Sequence, residues 1–445
     1  MASKPTFSAV VGNSGFRYLW INQVLMQLAI NTINFALIIW VYKLTDSNFA
    51  VSALLLAVYM PAFFFGLFAG VLVDRVDKRK LIILLDVLLA LAFIIFPLIR
   101  GSYPLILLDV FFINTIMQFF IPAEGSSIPM LIKKSHLFIA NSLFTFTLYG
   151  AFMTGFTIAG PILNEFSISP IFYMGTGLLL LAALLARSLP PLQVNFKKNT
   201  LGILEVVNSE MTETFQFIRG KLPVAVSISL LAMLQGVIGM MAVLVPAYME
   251  RVLKVHATDA SIFLMLPLGL GMIIGALIIG RFFQNIPRRI IVVPAIIISG
   301  ILLFGVGVAP DIAKALNETE IPSKIRHLRY FFNAPSLASS FIIGAFLLGL
   351  STVAVIIPSQ TILQEQTNDQ NRGKILAVLA VLMNAFAAIP VILAGAIADL
   401  VGAQPIFVFV GILITSIGIL ATKFGKEILS GFLPVRFKEF LGVDG

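Results

Sequence analysis

The sequence predicts an all-α integral membrane protein with twelve transmembrane helices in two pseudo-symmetric six-helix bundles. Composition is the first reason. Of 445 residues, 59% are hydrophobic and only 11% are charged, against about 25% charged in soluble domains. Span length is the second: the apolar residues fall into twelve blocks, each near the ~20 residues a helix needs to cross hydrocarbon. The third is the lack of ten-residue segments of alternating polarity, which removes a transmembrane β-barrel.

Taken in order, the first block, 17–42, carries polar residues at helical spacing and is too long and too polar for a signal peptide. The second, 49–73, ends in a cationic loop, and the third, 81–99, holds Asp86. The fourth, 103–124, holds Asp109 and ends on Ile121-Pro122-Ala123 with Glu124 beside it. Block five, 139–162, closes on Gly160-Pro161, and block six is 168–187. A linker, 188–221, starts with Pro190-Pro191 and then places Leu201, Leu204, Val207, Met211, Phe215 and Ile218 at three- and four-residue spacing. That spacing predicts an amphipathic helix on the inner membrane surface. The second set follows as 222–249, 260–280, 290–309, 338–363, 374–398 and 404–422, with an outer-loop insertion at 310–337 and a cytoplasmic tail at 426–445. The bundles are therefore expected at 1–187 and 222–425.

Charge placement orients the chain. With the N-terminus inside, 22 of the 30 Lys and Arg lie in inner segments and eight in outer ones, the positive-inside pattern. Both termini are expected in the cytoplasm, in a plasma membrane of the bacterial inner-membrane kind. The formal net charge of +9 then reflects loops facing anionic lipid rather than nucleic-acid binding. With no cysteine, and with His136, His256 and His327 all in expected loops, thiolate and intramembrane histidine metal sites are excluded. No cofactor is called for beyond a proton gradient as energy source. The partners expected are a small organic substrate and membrane lipid, and the chain is expected to act as a monomer.

The halves repeat each other. Gly70 to Arg79 lies between blocks two and three, and Gly280 to Arg289 between blocks eight and nine; both open on Gly and close on two cations, 210 residues apart. Ile121-Pro122-Ala123 and Ile357-Pro358-Ser359 form a second pair, 236 apart. The extra 26 residues match the 310–337 insertion. Such paired halves place a substrate path between them near the midplane.

Gly70-x-x-x-Asp74-Arg75-x-Asp77-Lys78-Arg79 resembles the loop signature of the major facilitator superfamily, whose usual form has Gly where Asp77 stands. Pro122-Ala123 through Pro129 with Ala140-Asn141-Ser142-Leu143, Gly160-Pro161, and Pro358-Ser359-Gln360 with Arg372-Gly373-Lys374 look like its drug:proton antiporter branch, which holds macrolide-efflux proteins and the enterobactin exporter. The antiporter signature wants Gly four residues before the Gly160-Pro161 pair, where Phe156 stands. The resemblance implies a conformational latch of Gly70, Asp74, Arg75, Lys78, Arg79 and Arg372. Gly70 would let helix 2 approach a neighbour, Asp74 would meet a helix N-terminus, and the cations would hold the loop in the cytoplasm.

Gln23, Gln27, Asn31 and Asn34 form one stripe on helix 1, four, four and three residues apart. With Gln235 and Asn384 near mid-span in helices 7 and 11, they are the substrate-cavity candidates. Intramembrane carboxylates are rare and mostly functional. Asp109, with no cation near it in sequence, is the first proton-coupling candidate and Glu124 the second, although Glu124 could be loop-exposed. Asp86, the third, is expected to partner the cationic loop, and Asp399 to be a solvated helix end. Together these residues point to a proton-coupled exporter of amphipathic small organic molecules. A lysophospholipid or lipid translocator is the alternative. A transport-incompetent receptor is disfavoured by Asp74 and the stripe, and an enzyme by the scattered histidines and the absence of a Walker A sequence. No catalytic residue is assigned.

Overall fold

The computed structural model describes residues 7–73, 75–133, 136–192, 220–283, 287–318, 334–366 and 372–423. Among these the chain is helical throughout, and twelve helices are long and apolar enough to cross a membrane. After a short turn at Phe7–Val11 they are α1 (Ser14–Thr45), α2 (Asn48–Val73), α3 (Lys78–Ile99), α4 (Tyr103–Leu131), α5 (Leu137–Glu165) and α6 (Ser169–Ala186). Then come α7 (Leu222–Ala247), α8 (Leu266–Phe282), α9 (Arg288–Glu318), α10 (Ala334–Gln366), α11 (Arg372–Val401) and α12 (Ala403–Lys423). A π-helical turn, Tyr248–Val252, extends α7, and another, Ser261–Met265, leads into α8. The amphipathic linker helix expected at 201–218, the tail 426–445 and Asp74 lie outside the described residues.

Two helices outrun the sequence expectation, both across proline. α4 continues to Leu131 through Pro122 and Pro129. The hydroxyls of Ser126 and Ser127 bond back to the carbonyls of Pro122 and Ala123 at 2.7 and 2.6 Å, the kind of local satisfaction that lets membrane helices carry proline. α9 runs past Pro310 to Glu318, so the first third of the expected outer insertion is helix. Gln404 Nε2 donates to Asp311 Oδ2 at 2.8 Å and ties these last turns to the start of α12.

The chain divides into two compact units. One comprises Met1–Asp46, Ala50–Phe217 and Gly373–Ala388; the other comprises Ser47–Phe49, Ile218–Arg372 and Ile389–Gly445. In the first, α1 packs on α5, α6 and α4, and α3 packs on α6 and α4. Phe93 and Phe96 of α3 meet Phe172 of α6, the second pair stacked with centroids 3.6 Å apart. A Cβ at Gly155 of α5 would collide with Asn31 and Thr32 of α1, so that crossing requires glycine.

In the second unit the main pairs are α9 with α12 and α8 with α10. Both are glycine-built. A Cβ at Gly271 would strike the Phe346 carbonyl, and one at Gly349 the Leu268 carbonyl. Gly300 and Gly411 do the same across α9 and α12. Tyr248 stands in this core, its hydroxyl donating to the Val306 carbonyl at 2.6 Å and its ring against Phe407 and Phe341.

Candidate functional site: the polar interior of the first helices

One end of the first unit is set by caps. Asn13 caps α1 through the Phe16 amide at 2.9 Å, and its Nδ2 donates to the Leu131 carbonyl at 3.0 Å, joining the ends of α1 and α4. Asp77 caps α3 by accepting from the amides of Arg79 and Lys80. This explains an acidic residue where the superfamily loop usually has Gly: both fit an N-cap. The Arg79 guanidinium donates to the carbonyl of Arg187, which closes α6. Its repeat partner Arg289 donates to the carbonyls of Ala421 and Thr422, both at 3.0 Å, at the end of α12. The repeat read from sequence is thus a shared device, in which a cation ending each loop neutralises the last helix of its own half.

One reading of that loop is corrected. Lys78 does not point into cytoplasm. It is 1% exposed, on the buried face of α3 with Ile82, Leu85 and Asp86, because the N-cap at Asp77 starts the helix there and turns residue 78 inward. Among the described residues, a Cβ at Gly70 would meet nothing within 4 Å. Arg75 is exposed, and nothing is described of Asp74 or of the Arg372 side chain. In α5, Phe156 packs edge-on against Phe35 of α1, and the close-approach glycine is its neighbour Gly155. Gly160 is buried and Pro161 exposed near the helix end.

Deeper in, α1 makes three side-chain bonds to two neighbours, α5 and α3. Trp20 Nε1 donates to Thr147 Oγ1 at 2.7 Å, Gln23 Nε2 to the Phe144 carbonyl at 3.3 Å, and Asn22 Nδ2 to Asp86 Oδ2 at 2.7 Å. Of the expected stripe, Gln23 and Asn31 are buried and Gln27 and Asn34 half-buried. Asn31 Nδ2 donates to the Gln27 carbonyl and side-chain oxygen at 2.7 and 3.2 Å, which steadies the stripe from within. Asn384 is half-buried on the part of α11 in the first unit, and Gln235 half-buried on α7 in the second.

The carboxylates sort differently from expectation. Asp86 partners Asn22 of α1 rather than the cationic loop, because α3 turns it away from the membrane surface into the helix interface. Glu124 is not in a loop. The continuation of α4 to Leu131 places it two turns inside a helix, 5% exposed and within electrostatic reach of Asp86. Asp109 is half-buried near the other end of α4, with Oδ2 shielded and without a hydrogen-bond partner among the described residues. Asp399 is exposed but not merely solvated. In the second unit it accepts from Ser47 Oγ, Asn48 N, Asn48 Nδ2 and Phe49 N at 2.6, 2.7, 2.9 and 3.1 Å, an anion held on the first turn of α2.

Asn22 escaped the sequence reading. It lies one residue off the stripe, on a face shared with buried Met26, Ala29 and Ile33. A lone amide on an apolar face was the available signal.

Twelve apolar helices, buried carboxylates inside them and a repeated cationic loop are features of a transporter, and comparison with known proteins decides the family. The family model of the Major Facilitator Superfamily matches residues 19–317. The chain belongs to that superfamily. It is similar to YfiS of Bacillus subtilis (strain 168), an uncharacterised transporter of the same type, with 23% identity over 409 residues that cover 91% of each chain. Among solved structures it resembles a mutant form of the nucleoside transporter NupG (TM-score 0.70, 12% identity, 92% of this chain and 100% of that one). It also resembles a POT family transporter in complex with 5-aminolevulinic acid (TM-score 0.70, 11% identity, 96% and 98%). At these identities the structures support the fold alone. The protein is accordingly a multi-pass membrane transporter of the Major Facilitator Superfamily.

Proposed function

We propose that this transporter is a proton-coupled exporter of amphipathic small organic molecules, of the drug, macrolide or siderophore type, working by alternating access. The observation that carries the reading is the placement of Asp86 and Glu124 inside α3 and α4, buried and with no cation bonded to either among the described residues. Carboxylates at that depth are costly, about 2.5–3.5 kcal/mol each on insertion scales, and an uncoupled facilitator has no need of them. Asp109, towards the other end of α4, is the relay between this pair and the far side. The amides of α1 and Asn384, in the first unit, and Gln235, in the second, are the residues assigned to substrate binding. The loop from Gly70 to Arg79 is assigned to the conformational cycle, and Arg79 fastens it to its own half. Both termini face the cytoplasm of a bacterial cell, and the protein works as a monomer.

The test is an accumulation panel of drugs and metabolites in efflux-deficient cells, with and without a protonophore. Lower accumulation of at least one amphipathic compound, reversed by the protonophore, is the expected result. Accumulation unchanged over a broad panel overturns it in favour of lipid translocation, which labelled lysophospholipid in proteoliposomes then measures.

A further inference from the structure

We propose that Phe65 of α2 and Phe111, Asn114 and Gln118 of α4 form a binding site for an aromatic ring that carries N–H donors, as an aryl amine does. This deepens the exporter reading by naming the substrate class, and rests on it only for the word substrate. All four residues lie in the first unit and inside membrane spans. Phe111, Asn114 and Gln118 are three and four residues apart, so one face of α4 presents them together. Each is half-buried. Asp109, five residues before Asn114, stands about 140° round the helix and belongs to a different face.

The amides show what the site can accept. Asn114 Nδ2 donates to the Val110 carbonyl at 2.9 Å, and Gln118 Nε2 to the Asn114 carbonyl at 3.3 Å. Only an amide nitrogen can face a carbonyl, so these bonds fix which way both amides point. Each turns its nitrogen to its own helix and its oxygen away. Neither Asn114 Oδ1 nor Gln118 Oε1 accepts a bond among the described residues. The ordinary use of such oxygens is to join helices, and here the neighbours offer nothing. A Cβ on Gly66 of α2 would stand 3.6 Å from Gln118 Oε1 and 3.3 Å from Val381 of α11. α2 and α11 thus meet the amide with a glycine and a valine, neither of which has a side-chain donor. Two open acceptors inside membrane spans call for a donor from outside the helices.

The rest of the lining is phenyl. Phe111 meets Phe65 edge to face with ring centroids 6.4 Å apart, and the ring contacts continue to Phe64 and then Phe63 at 6.4 and 5.5 Å. Phe64 and Phe63 are exposed, so the rings lead from the outside of α2 to the amides. A flat ligand ring extends such a set by offset or edge contact. No charged residue occurs from Ser52 to Val73 in α2, from Val110 to Ala123 in α4 or from Ile375 to Ala398 in α11. These stretches have nothing to clamp a carboxylate or phosphate, and the site selects by ring and donor instead.

Two dyes of one ring system isolate the donors. Proflavine carries two aryl NH2 groups on acridine, and acridine orange carries the same groups dimethylated. Saturable binding of each to full-length protein in detergent is followed by fluorescence anisotropy. Wild-type protein is expected to bind proflavine about tenfold more tightly, although acridine orange is the more apolar dye. Asn114→Leu and Gln118→Met, each checked for wild-type thermal unfolding, are each expected to cut that preference about fivefold, the worth of one hydrogen bond. Phe111→Leu is expected to weaken both dyes alike. A preference that persists in both amide variants overturns the site. So does wild-type protein that binds neither dye, or binds acridine orange as tightly as proflavine. Where an amide variant unfolds, the wild-type comparison of the two dyes decides by itself. The accumulation panel separates this site from the exporter reading. If the preference holds and the panel shows no protonophore-sensitive efflux, the exporter reading fails and the site survives. If efflux is found and wild-type protein shows no preference, the site fails and the exporter survives.

Discussion

From α1 to α6 the buried polar residues include the amides Asn22, Gln23 and Asn31 and the ionisable Lys78, Asp86, Glu124 and His136; from α7 to α12, among the described residues, they are Ser227, Thr258, Ser261, Ser351, Thr352 and Ser359. Sequence repetition therefore hides a division of labour. The earlier helices are joined by long-range side-chain bonds such as Asn22 to Asp86 and Trp20 to Thr147. The later ones pack more often through glycines so close that a methyl group would strike a neighbouring backbone, an approach the earlier set makes at Gly155. In a membrane both are sound ways to associate helices, since no hydrophobic drive separates lipid from side chain. They differ in what they permit. Backbone-to-backbone packing resists change, whereas a bonded carboxylate can exchange its partner for a cation.

The sharpest way to break this contrast is to move chemistry without moving shape. Asp86→Asn and Glu124→Gln are expected to lower gradient-driven transport in proteoliposomes by about tenfold or more, as loss of an intramembrane functional carboxylate should, with thermal unfolding little changed. Ser351→Ala and Ser359→Ala are expected to leave transport within about twofold, since a buried hydroxyl bond is worth only about 0.6 kcal/mol in membranes. A tenfold loss from either serine would erase the distinction between the halves.

The reverse experiment adds bulk. Gly271→Val and Gly411→Val place a side chain on the Phe346 carbonyl and on Phe304 backbone. Overpacking of this kind costs about 1–3 kcal/mol or more, so both variants should unfold at clearly lower temperature in detergent, or fail to accumulate. Gly70→Ala, with nothing within 4 Å of the added methyl among the described residues, should unfold as the wild type does. Equal damage at Gly70 would show that the loop glycine packs after all.

These contrasts also show what the sequence could reveal. Twelve helices were legible because span length and hydropathy act over about 20 residues, and the repeat because Arg79 and Arg289 keep the same job. Helix ends at Pro122 and Pro310 were not, because proline breaks helices in water but is tolerated where neighbours and hydroxyls satisfy the backbone. That ending left Glu124 open to a loop reading, which its burial inside α4 removes. Lys78 was read as a cytoplasmic cation because its charge was visible and its rotational position was not. Asn22 was missed because its partner lies 64 residues away, and Gly155 because the signature pointed one residue further on.

The shared device offers a smaller test, in which the halves should behave alike. Arg79→Ala and Arg289→Ala each remove a guanidinium from the carbonyl end of the last helix of its unit. Charge-assisted bonds and the helix dipole together give an expected loss of about 1–2 kcal/mol in each case, read as similar drops in unfolding temperature. A large loss at one and none at the other would mean that the repeat has diverged in use.

The smallest effect is expected at Asp77, where the halves part company. Its counterpart 210 residues on is Pro287, which precedes α9 without a side chain able to cap it. Asp77 accepts from the Arg79 and Lys80 amides at 2.9 and 3.3 Å. Removing such a cap by alanine costs about 1 kcal/mol, but replacing it by glycine costs only a few tenths, because glycine adopts the cap conformation and leaves the amides open to water. Asp77→Gly, which restores the residue usual in the superfamily loop, should therefore unfold nearly as the wild type does, while Asp77→Ala should be measurably weaker. If Asp77→Gly is instead as damaging as Asp77→Ala, the carboxylate has work beyond the cap. The acidic residue in this loop would then belong with the charges that set the earlier helices apart.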